Sequence, residues 1–206
     1  WMSWGIHPTI LCGHSIGEFV AAHLAGIFTL EDALKVVAAR GLMISNLPKG
    51  SMLSIRSRID KVEKLLPPEL SLAALNTKDI CVVSGPDEYI ATFAQKLDQN
   101  EIPNRILLTS HAFHSSMMDP IVEEFQKVIE SVTLKNPIKP LISTATGTWL
   151  KDEQATNSSY WAEHLRKTVK FADALDTIAL LENPLFIEVG PGNVTSTLAK
   201  QQIADK

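Results

Sequence analysis

A serine between two glycines, in the pentapeptide Gly13-His14-Ser15-Ile16-Gly17, constrains this chain more than any other feature. A short apolar run over residues 9–12 precedes it and predicts a buried strand, and apolar residues at helical spacing over residues 16–25 follow it. A Gly-x-Ser-x-Gly motif between a strand and a helix is typical of a nucleophile elbow, which exposes a serine in a cleft. The alternative is an ordinary strand–helix turn whose serine only caps the helix.

The elbow also predicts how its other residues act. We expect Gly13 and Gly17 to be small because a Cβ at either position would clash with neighbouring backbone in so tight a turn. The backbone N–H of Ile16 stands at the start of the helix, where negative charge is favoured, and is a candidate oxyanion donor. His14 is adjacent to Ser15, so we expect its side chain to point away from the serine.

The rhythm of the chain changes after the first two helices. Gly26 is predicted to end the first helix, and Thr29 to begin the second. The apolar stripe of the second helix is predicted as Leu30, Ala33, Leu34, Val37 and Ala38. Strands are predicted over residues 51–56, 70–75, 80–84 and 105–108, helices over 59–66 and 87–99, and a turn over 76–79. This βαββαβ order is the ferredoxin-like split unit.

Longer helices return in the last part of the chain. Helices are predicted over residues 119–132, 160–165, 172–181 and from 194 onward, and strands over 140–143 and 185–189. The fold class is therefore α/β with an α+β insertion. We divide the chain into residues 1–48 and 110–206 as one large unit and residues 49–109 as a small inserted one.

Composition excludes several classes of protein. The chain has 206 residues, of which 45% are apolar and 20% charged, and no apolar run approaches the length of a membrane span. A net charge of −4 without basic runs argues against nucleic acid or a membrane as partner. Its two cysteines, Cys12 and Cys81, have no metal-ligand spacing and fit a reducing, cytoplasmic setting. The opening at Trp1, in mid-pattern, indicates a piece of a longer protein.

A serine nucleophile needs a base, and the candidates are His7, His14, His111, His114 and His164. Two of these histidines share one loop. His111 and His114 lie in the segment Ser110-His111-Ala112-Phe113-His114-Ser115, between a predicted strand and a predicted helix. The alternative for either is a solvated loop residue. Arg40 lies on the apolar side of its predicted helix, where an arginine is costly unless paired. It is either a planar fork for a substrate carboxylate or one half of a buried ion pair with Glu18 or Glu31.

These motifs together resemble one family. The segments at Ser15 and Arg40, the sequence His111-Ala112-Phe113-His114 and the segment Glu188-Val189-Gly190-Pro191-Gly192 look like those of acyltransferase domains of modular polyketide synthases, relatives of malonyl-CoA:acyl carrier protein transacylase. The resemblance covers the whole chain. It implies an α/β-hydrolase-like large subdomain with an inserted ferredoxin-like small subdomain, and no bound cofactor.

The resemblance also implies roles for individual residues. Ser15 corresponds to the serine that is acylated, and His114 to the general base, oriented by a backbone carbonyl that by position belongs to Lys167. Arg40 corresponds to the arginine that holds the malonyl carboxylate. We assign His111 and His14 to substrate binding as well. Phe113 corresponds to a residue that goes with malonyl rather than methylmalonyl, because its ring fills the space of an α-methyl group.

The implied substrate is malonyl-CoA, and the implied partners are an acyl carrier protein with its phosphopantetheine arm and neighbouring synthase domains. Two departures from the family pattern stand out. The chain begins after the family's Gly-Gln-Gly segment, whose glutamine supplies a second oxyanion donor, and Ser116 replaces a usual proline. Two other functions remain open, a serine esterase or thioesterase of α/β-hydrolase type and an inactive truncated scaffold. A simple esterase has no need of Arg40.

Overall fold

The structure, a computed structural model, describes residues 1–203. This part of the chain forms two β-sheets and nine α-helices. The strands are β1 (Leu11–Cys12), β2 (Ser51–Ile55), β3 (Ser71–Thr77), β4 (Ile80–Gly85), β5 (Asn104–Ile106), β6 (Leu141–Ser143), β7 (Thr148–Trp149) and β8 (Val169–Lys170). The helices are α1 (Gly17–Leu24), α2 (Leu30–Ser45), α3 (Ile59–Glu63), α4 (Asp87–Gln99), α5 (Asp119–Glu130), α6 (Asp152–Ala155), α7 (Ser158–Glu163), α8 (Phe171–Ala179) and α9 (Val194–Ile203). None of these helices has the length and apolar character needed to cross a bilayer.

The smaller sheet has the order β1-β6-β7 and carries the elbow at one end. β1 runs parallel to β6, with Leu11 opposite Leu141, and β7 returns antiparallel to β6. Helices α1, α2, α5 and α7 enclose an aromatic core in which Phe19 lies 5.3 Å, centroid to centroid, from Trp161. This core holds the first turn of α1, and with it the elbow, in place.

The larger sheet has the order β5-β2-β4-β3-β8. Its first four strands are all antiparallel and, with α3 and α4, form the predicted ferredoxin-like unit, whose elements follow the predicted βαββαβ order along the chain. The chain folds this way because the apolar residues of α4, including Phe93 and Leu97, pack on those of β2 and β4. β8 pairs parallel to β3, so the sheet gains a fifth strand from outside residues 49–109.

The opposite face of the larger sheet packs against the last two helices. Met52, Ala74 and Val82 on this face share one apolar cluster with Leu175 of α8 and Leu198 of α9. Ile142 of the smaller sheet belongs to the same cluster. The two sheets therefore meet over a common apolar layer, and the elbow opens beside it.

Local signals placed several boundaries correctly. The Thr29 hydroxyl accepts a hydrogen bond from the Asp32 N–H at 3.1 Å and caps α2, as predicted. Gly26 follows α1 with φ +84°, a left-handed conformation that favours glycine. The helix predicted over residues 87–99 has those same bounds.

The predicted apolar face of α2 is wrong. In α2 the buried residues are Ala33, Val36, Arg40 and Ile44, whereas Leu30, Leu34 and Ala38 of the predicted stripe are exposed. The true face follows the contacts that α2 makes with α5 and α1, which the spacing of apolar residues alone did not reveal.

The turn predicted over residues 76–79 is shorter than expected. Asn76 and Thr77 belong to β3, because the hairpin continues to a pair between Thr77 and Ile80. The strand predicted over residues 185–189 does not form within the described chain. Its backbone has no pairing strand there, and Leu185 and Val189 are 88% and 80% exposed.

Candidate active site

Ser15 lies at the turn between β1 and α1 with a backbone φ of +52°, which is unusual for a residue with a side chain. A Cβ at Gly13 would lie 2.1 Å from the backbone of Gly17, so only glycine fits at position 13. The same prediction for Gly17 is wrong, since nothing lies within 4 Å of a Cβ built there. The close approach of the backbone at position 13 to the backbone at position 17 therefore requires glycine only at position 13.

The Ser15 and His114 side chains meet, although 99 positions separate them in the sequence. Ser15 Oγ lies 2.7 Å from His114 Nε2, and His114 Nδ1 lies 2.8 Å from the backbone oxygen of Lys167. A carbonyl oxygen only accepts, so Nδ1 carries the proton and Nε2 is free to accept from the Ser15 hydroxyl. His114 therefore faces Ser15 in a tautomer whose Nε2 can accept the proton of the hydroxyl.

His114 is buried and is kept neutral. Burial, with further contributions from the charges of His164 and Arg40, lowers the pKa of His114 to about 3. His114 also has a φ of +58°, so both members of the pair adopt the left-handed conformation. Such backbone strain in non-glycine residues concentrates at functional sites.

A cavity of about 420 Å³ opens at Ser15 and His114. Its walls come from the elbow, the larger sheet, the loop before α5 and the start of α9. The lining residues are His14, Ser15, Met52, Ala74, Asn76, Val82, Leu107, Phe113, His114, Val169, Val194, Thr195 and Leu198. A mainly apolar pocket with a few convergent polar groups is typical of a small-molecule site.

The structure brings His14 and Phe113 into the wall of this cavity. His14 Nε2 donates to Asn76 Oδ1 at 2.8 Å, and burial lowers the pKa of His14 despite that hydrogen bond. The Phe113 carbonyl accepts a hydrogen bond from Ser84 Oγ at 2.7 Å, which fixes the loop against the larger sheet. Ile16 is the N-cap residue directly before α1, at the helix end where backbone N–H groups have no partner inside the helix.

Arg40 and His111 lie outside the residues that line the cavity. Arg40 is buried, and among the described residues its Nε has no hydrogen-bond partner. Burial lowers the pKa of its guanidinium to about 10, and Glu18, one possible partner, binds His164 instead. His111 Nε2 lies 3.3 Å from the Leu47 carbonyl, and its Nδ1 faces Ser110 Oγ at 2.9 Å.

Residues 1–205 match the family model of the acyl transferase domain. The chain belongs to the acyl transferase domain family. A curated relative, the mycoketide-CoA synthase of Mycobacterium tuberculosis, is 36% identical over 204 residues, which are 98% of this chain and 5% of that protein. The acyl transferase domain thus spans only a small part of this much longer relative.

Solved acyl transferase structures show the same fold. The acyl transferase domain of SpnD, in complex with 2-(pent-4-yn-1-yl)malonyl, is 37% identical with a TM-score of 0.94, covering 98% of this chain and 49% of that one. The malonyl CoA-acyl carrier protein transacylase of Burkholderia pseudomallei is 29% identical with a TM-score of 0.91, covering this whole chain and 73% of that one. The predicted architecture, an α/β-hydrolase-like large subdomain with a ferredoxin-like insertion, is thereby confirmed.

Sequence reasoning missed two groups of residues in this acyl transferase domain. Asn76 was placed in a turn, and only its position at the end of β3 brings it to His14. Glu18 and His164 are 146 positions apart and form a buried hydrogen-bonded pair behind the elbow. One signal was available, since Glu18 stands on the first turn of a helix that packs into the core, where an acidic side chain needs partners.

Proposed function

We propose that this acyl transferase domain transfers a malonyl group from malonyl-CoA to the phosphopantetheine thiol of an acyl carrier protein, through an ester on Ser15. The observation that carries the proposal is the chain of contacts from Ser15 Oγ to His114 Nε2 and from His114 Nδ1 to the Lys167 carbonyl. It supplies a nucleophile, a base and a group that orients the base, at the mouth of a cavity. Two structural neighbours support a substrate of malonyl type: the SpnD domain is in complex with a substituted malonyl group, 2-(pent-4-yn-1-yl)malonyl, and the Burkholderia protein is a malonyl CoA-acyl carrier protein transacylase.

In the first half-reaction the Ser15 oxygen attacks the thioester carbonyl carbon while its proton passes to His114 Nε2. The negative charge on the carbonyl oxygen develops at the N-terminus of α1, within reach of the Ile16 N–H. The carbon–sulfur bond then breaks, and the proton on His114 passes to the CoA thiolate. Malonyl remains as an ester on Ser15, and CoA leaves as the free thiol.

In the second half-reaction the carrier-protein thiol replaces CoA and the steps run in reverse. The thiol gives its proton to His114, its sulfur attacks the ester carbon, and the Ser15 oxygen takes the proton back. Because His114 is neutral at physiological pH, it can accept a proton in both halves. The same site therefore serves donor and acceptor in turn, as a ping-pong course requires.

Selectivity rests on two further residues. Arg40 lies outside the residues that line the cavity, but it is close enough to His114 for its charge to lower the pKa of that histidine. Its buried guanidinium has an Nε without a partner among the described residues, so it would donate to a carboxylate. Phe113 lines the cavity, and its ring occupies volume that an α-methyl substituent would need. Both features favour malonyl over acetyl and methylmalonyl. We also propose that neighbouring synthase domains accompany this one.

The test is covalent labelling of the protein that contains this chain, measured by intact-protein mass spectrometry after incubation with malonyl-CoA. We expect one malonyl adduct on the unaltered protein and none on Ser15→Ala. Ser116→Ala is the matched control, because Ser116 is an exposed serine close to His114 in sequence, and it should label normally. An adduct that persists in Ser15→Ala, or free malonate formed faster than transfer to a carrier thiol, contradicts the proposal.

A further inference from the structure

A carboxylate lies fully buried directly behind the elbow. Glu18, in the first turn of α1, has no exposed surface, and hydrogen-bond donors surround its carboxylate. Thr144 donates its N–H at 2.7 Å and its hydroxyl at 2.6 Å, and Tyr160 Oη lies 2.5 Å from Glu18 Oε1. Burial alone would raise the pKa of Glu18, but His164 and these hydrogen bonds outweigh it and lower the pKa.

His164 joins this carboxylate to the general base. Its Nε2 lies 3.2 Å from Glu18 Oε2, and its ring packs edge-on against the His114 ring with centroids 6.1 Å apart. His164 is 2% exposed, and its Nδ1 has no hydrogen-bond partner among residues 1–203. A buried polar atom without a partner is costly, so the contact with Glu18 is what secures this ring.

The Glu18–His164 contact connects two short segments that reach Ser15 and His114 separately. On one side the Glu18 N–H donates to the Ser15 carbonyl at 2.9 Å, so the residue fixes the backbone of the nucleophile. On the other side His164 begins the turn that ends at Lys167, whose N–H donates to the Glu163 carbonyl at 2.9 Å. The Lys167 carbonyl in turn orients His114.

We propose that Glu18 and His164 are a positioning pair, whose buried contact sets the distance between Ser15 Oγ and His114 Nε2. This inference rests on the proposed function, which supplies malonyl-CoA as the substrate. The pair itself is proposed to act on the reactivity of Ser15 toward any reagent. A purely structural pair would affect folding and leave the chemistry of the folded molecules unchanged. A positioning pair acts on the rate at saturating substrate, because a small displacement of reacting groups costs up to about 100-fold.

The experiment compares three variants of the protein that contains this chain. His164→Leu removes the donor to Glu18, and His164→Gln places an amide N–H near the position of Nε2. Trp161→Phe removes a buried hydrogen bond that does not involve Glu18, the one from Trp161 Nε1 to the Ala155 carbonyl at 2.9 Å. Acylation of Ser15 is followed against malonyl-CoA concentration, and thermal unfolding is measured for each variant. Phosphonylation of Ser15 by a fluorophosphonate is the second readout: the Oγ–P bond forms, the P–F bond breaks, and His114 takes the proton as fluoride leaves.

We expect His164→Leu to lower the saturating rate roughly 10- to 100-fold with little change in the half-saturating concentration. His164→Gln should recover most of that rate. Trp161→Phe should lower the unfolding temperature while its folded molecules keep the unaltered rate. Fluorophosphonate labelling should rank the variants in the same order.

A His164→Leu protein as fast as the unaltered one overturns the proposal, and so do rates that fall in step with unfolding temperature across all three variants. If His164→Leu does not fold, His164→Asn replaces it, because the shorter amide cannot reach Glu18 as the glutamine can. Equal rates for Asn and Gln then overturn the proposal. Labelling by fluorophosphonate without labelling by malonyl-CoA contradicts the proposed function alone, and the fluorophosphonate rates still decide the role of the pair.

Discussion

Ser15 and His114 meet at 2.7 Å from two backbone positions that both have positive φ, +52° and +58°. Both side chains also line the same cavity. Left-handed residues with a Cβ cost free energy that the surrounding structure must supply. In this protein the core around α1 and the hydrogen bonds of the loop before α5 offset that free-energy cost.

Replacing His114 by alanine should slow acylation of Ser15 by roughly 10²–10⁴-fold, the usual contribution of a general base. His111→Ala is the matched control from the same loop, and it should slow the reaction far less because the His111 ring contacts Leu47 and Ser110. Quenched-flow mass spectrometry of the malonyl adduct measures both rates. If His111→Ala were the slower variant, the assignment of the base would be wrong.

The acylation rate should stay constant as the pH falls from 8 to 5. The pKa of His114 is lowered to about 3, so the imidazole remains a base well below the pH at which a histidine in water takes up a proton. A rate that halves near pH 6.5 would show that His114 titrates as an exposed histidine does.

The same shift predicts how stability depends on pH. Between about pH 6.5 and 3 the unfolded chain protonates this histidine and the folded chain does not, so the unfolded state binds more protons. Stability therefore decreases as the pH falls through this range. His114→Gln should lose less stability over that range in denaturant titrations, and parallel curves for the two proteins would contradict the prediction.

Arg40→Ala should cost malonyl-CoA about 1.5–3 kcal/mol, roughly 10- to 150-fold in kcat/KM, because it removes hydrogen bonds to a charged group. Acetyl-CoA lacks the carboxylate and should lose nothing. Arg40→Lys keeps the charge without the planar fork, so its kcat/KM for malonyl-CoA should lie between those of the unaltered protein and Arg40→Ala. Equal losses with both substrates would assign Arg40 a structural role instead.

Gly13→Ala and Gly17→Ala form a matched pair within the elbow. A Cβ at position 13 would lie 2.1 Å from backbone atoms, so that variant should lose at least about 1–3 kcal/mol of unfolding free energy. A Cβ at position 17 meets no atom within 4 Å, and alanine there should gain about 0.4–1 kcal/mol. Urea denaturation measures both changes, and equal destabilisation would contradict the predicted difference.

Local sequence rules account for the parts of this fold that local chemistry decides. The Thr29 cap, the left-handed Gly26 and the bounds of α4 each depend on a few neighbouring residues, and all three were predicted. The strand predicted over residues 185–189 failed because a strand needs a partner, and partners are set by the whole fold. The exposed side of α2 was misassigned for the same reason.

The site divides in the same way. Ser15 could be singled out from its flanking strand, turn and helix, because an elbow is a local structure. The pairing of Glu18 with His164 spans 146 positions, and although the core position of Glu18 indicates that it needs a partner, nothing in either segment identifies His164 as that partner. Contacts of that kind depend on how α1 and the end of α7 pack together, which spacing along the chain does not encode.

The parallel pairing of β8 with β3 bears on how such domains can be recombined. β8 follows Lys167 by one residue, and the Thr168 hydroxyl also donates to the Leu72 carbonyl at 2.7 Å. The backbone that orients His114 is thus attached to the edge of the ferredoxin-like sheet. A chimera that exchanges residues 49–109 alone would place a foreign β3 beside the native β8. The exchanged segment must therefore be compatible with residues 168–170, which lie far along the chain from both crossover points.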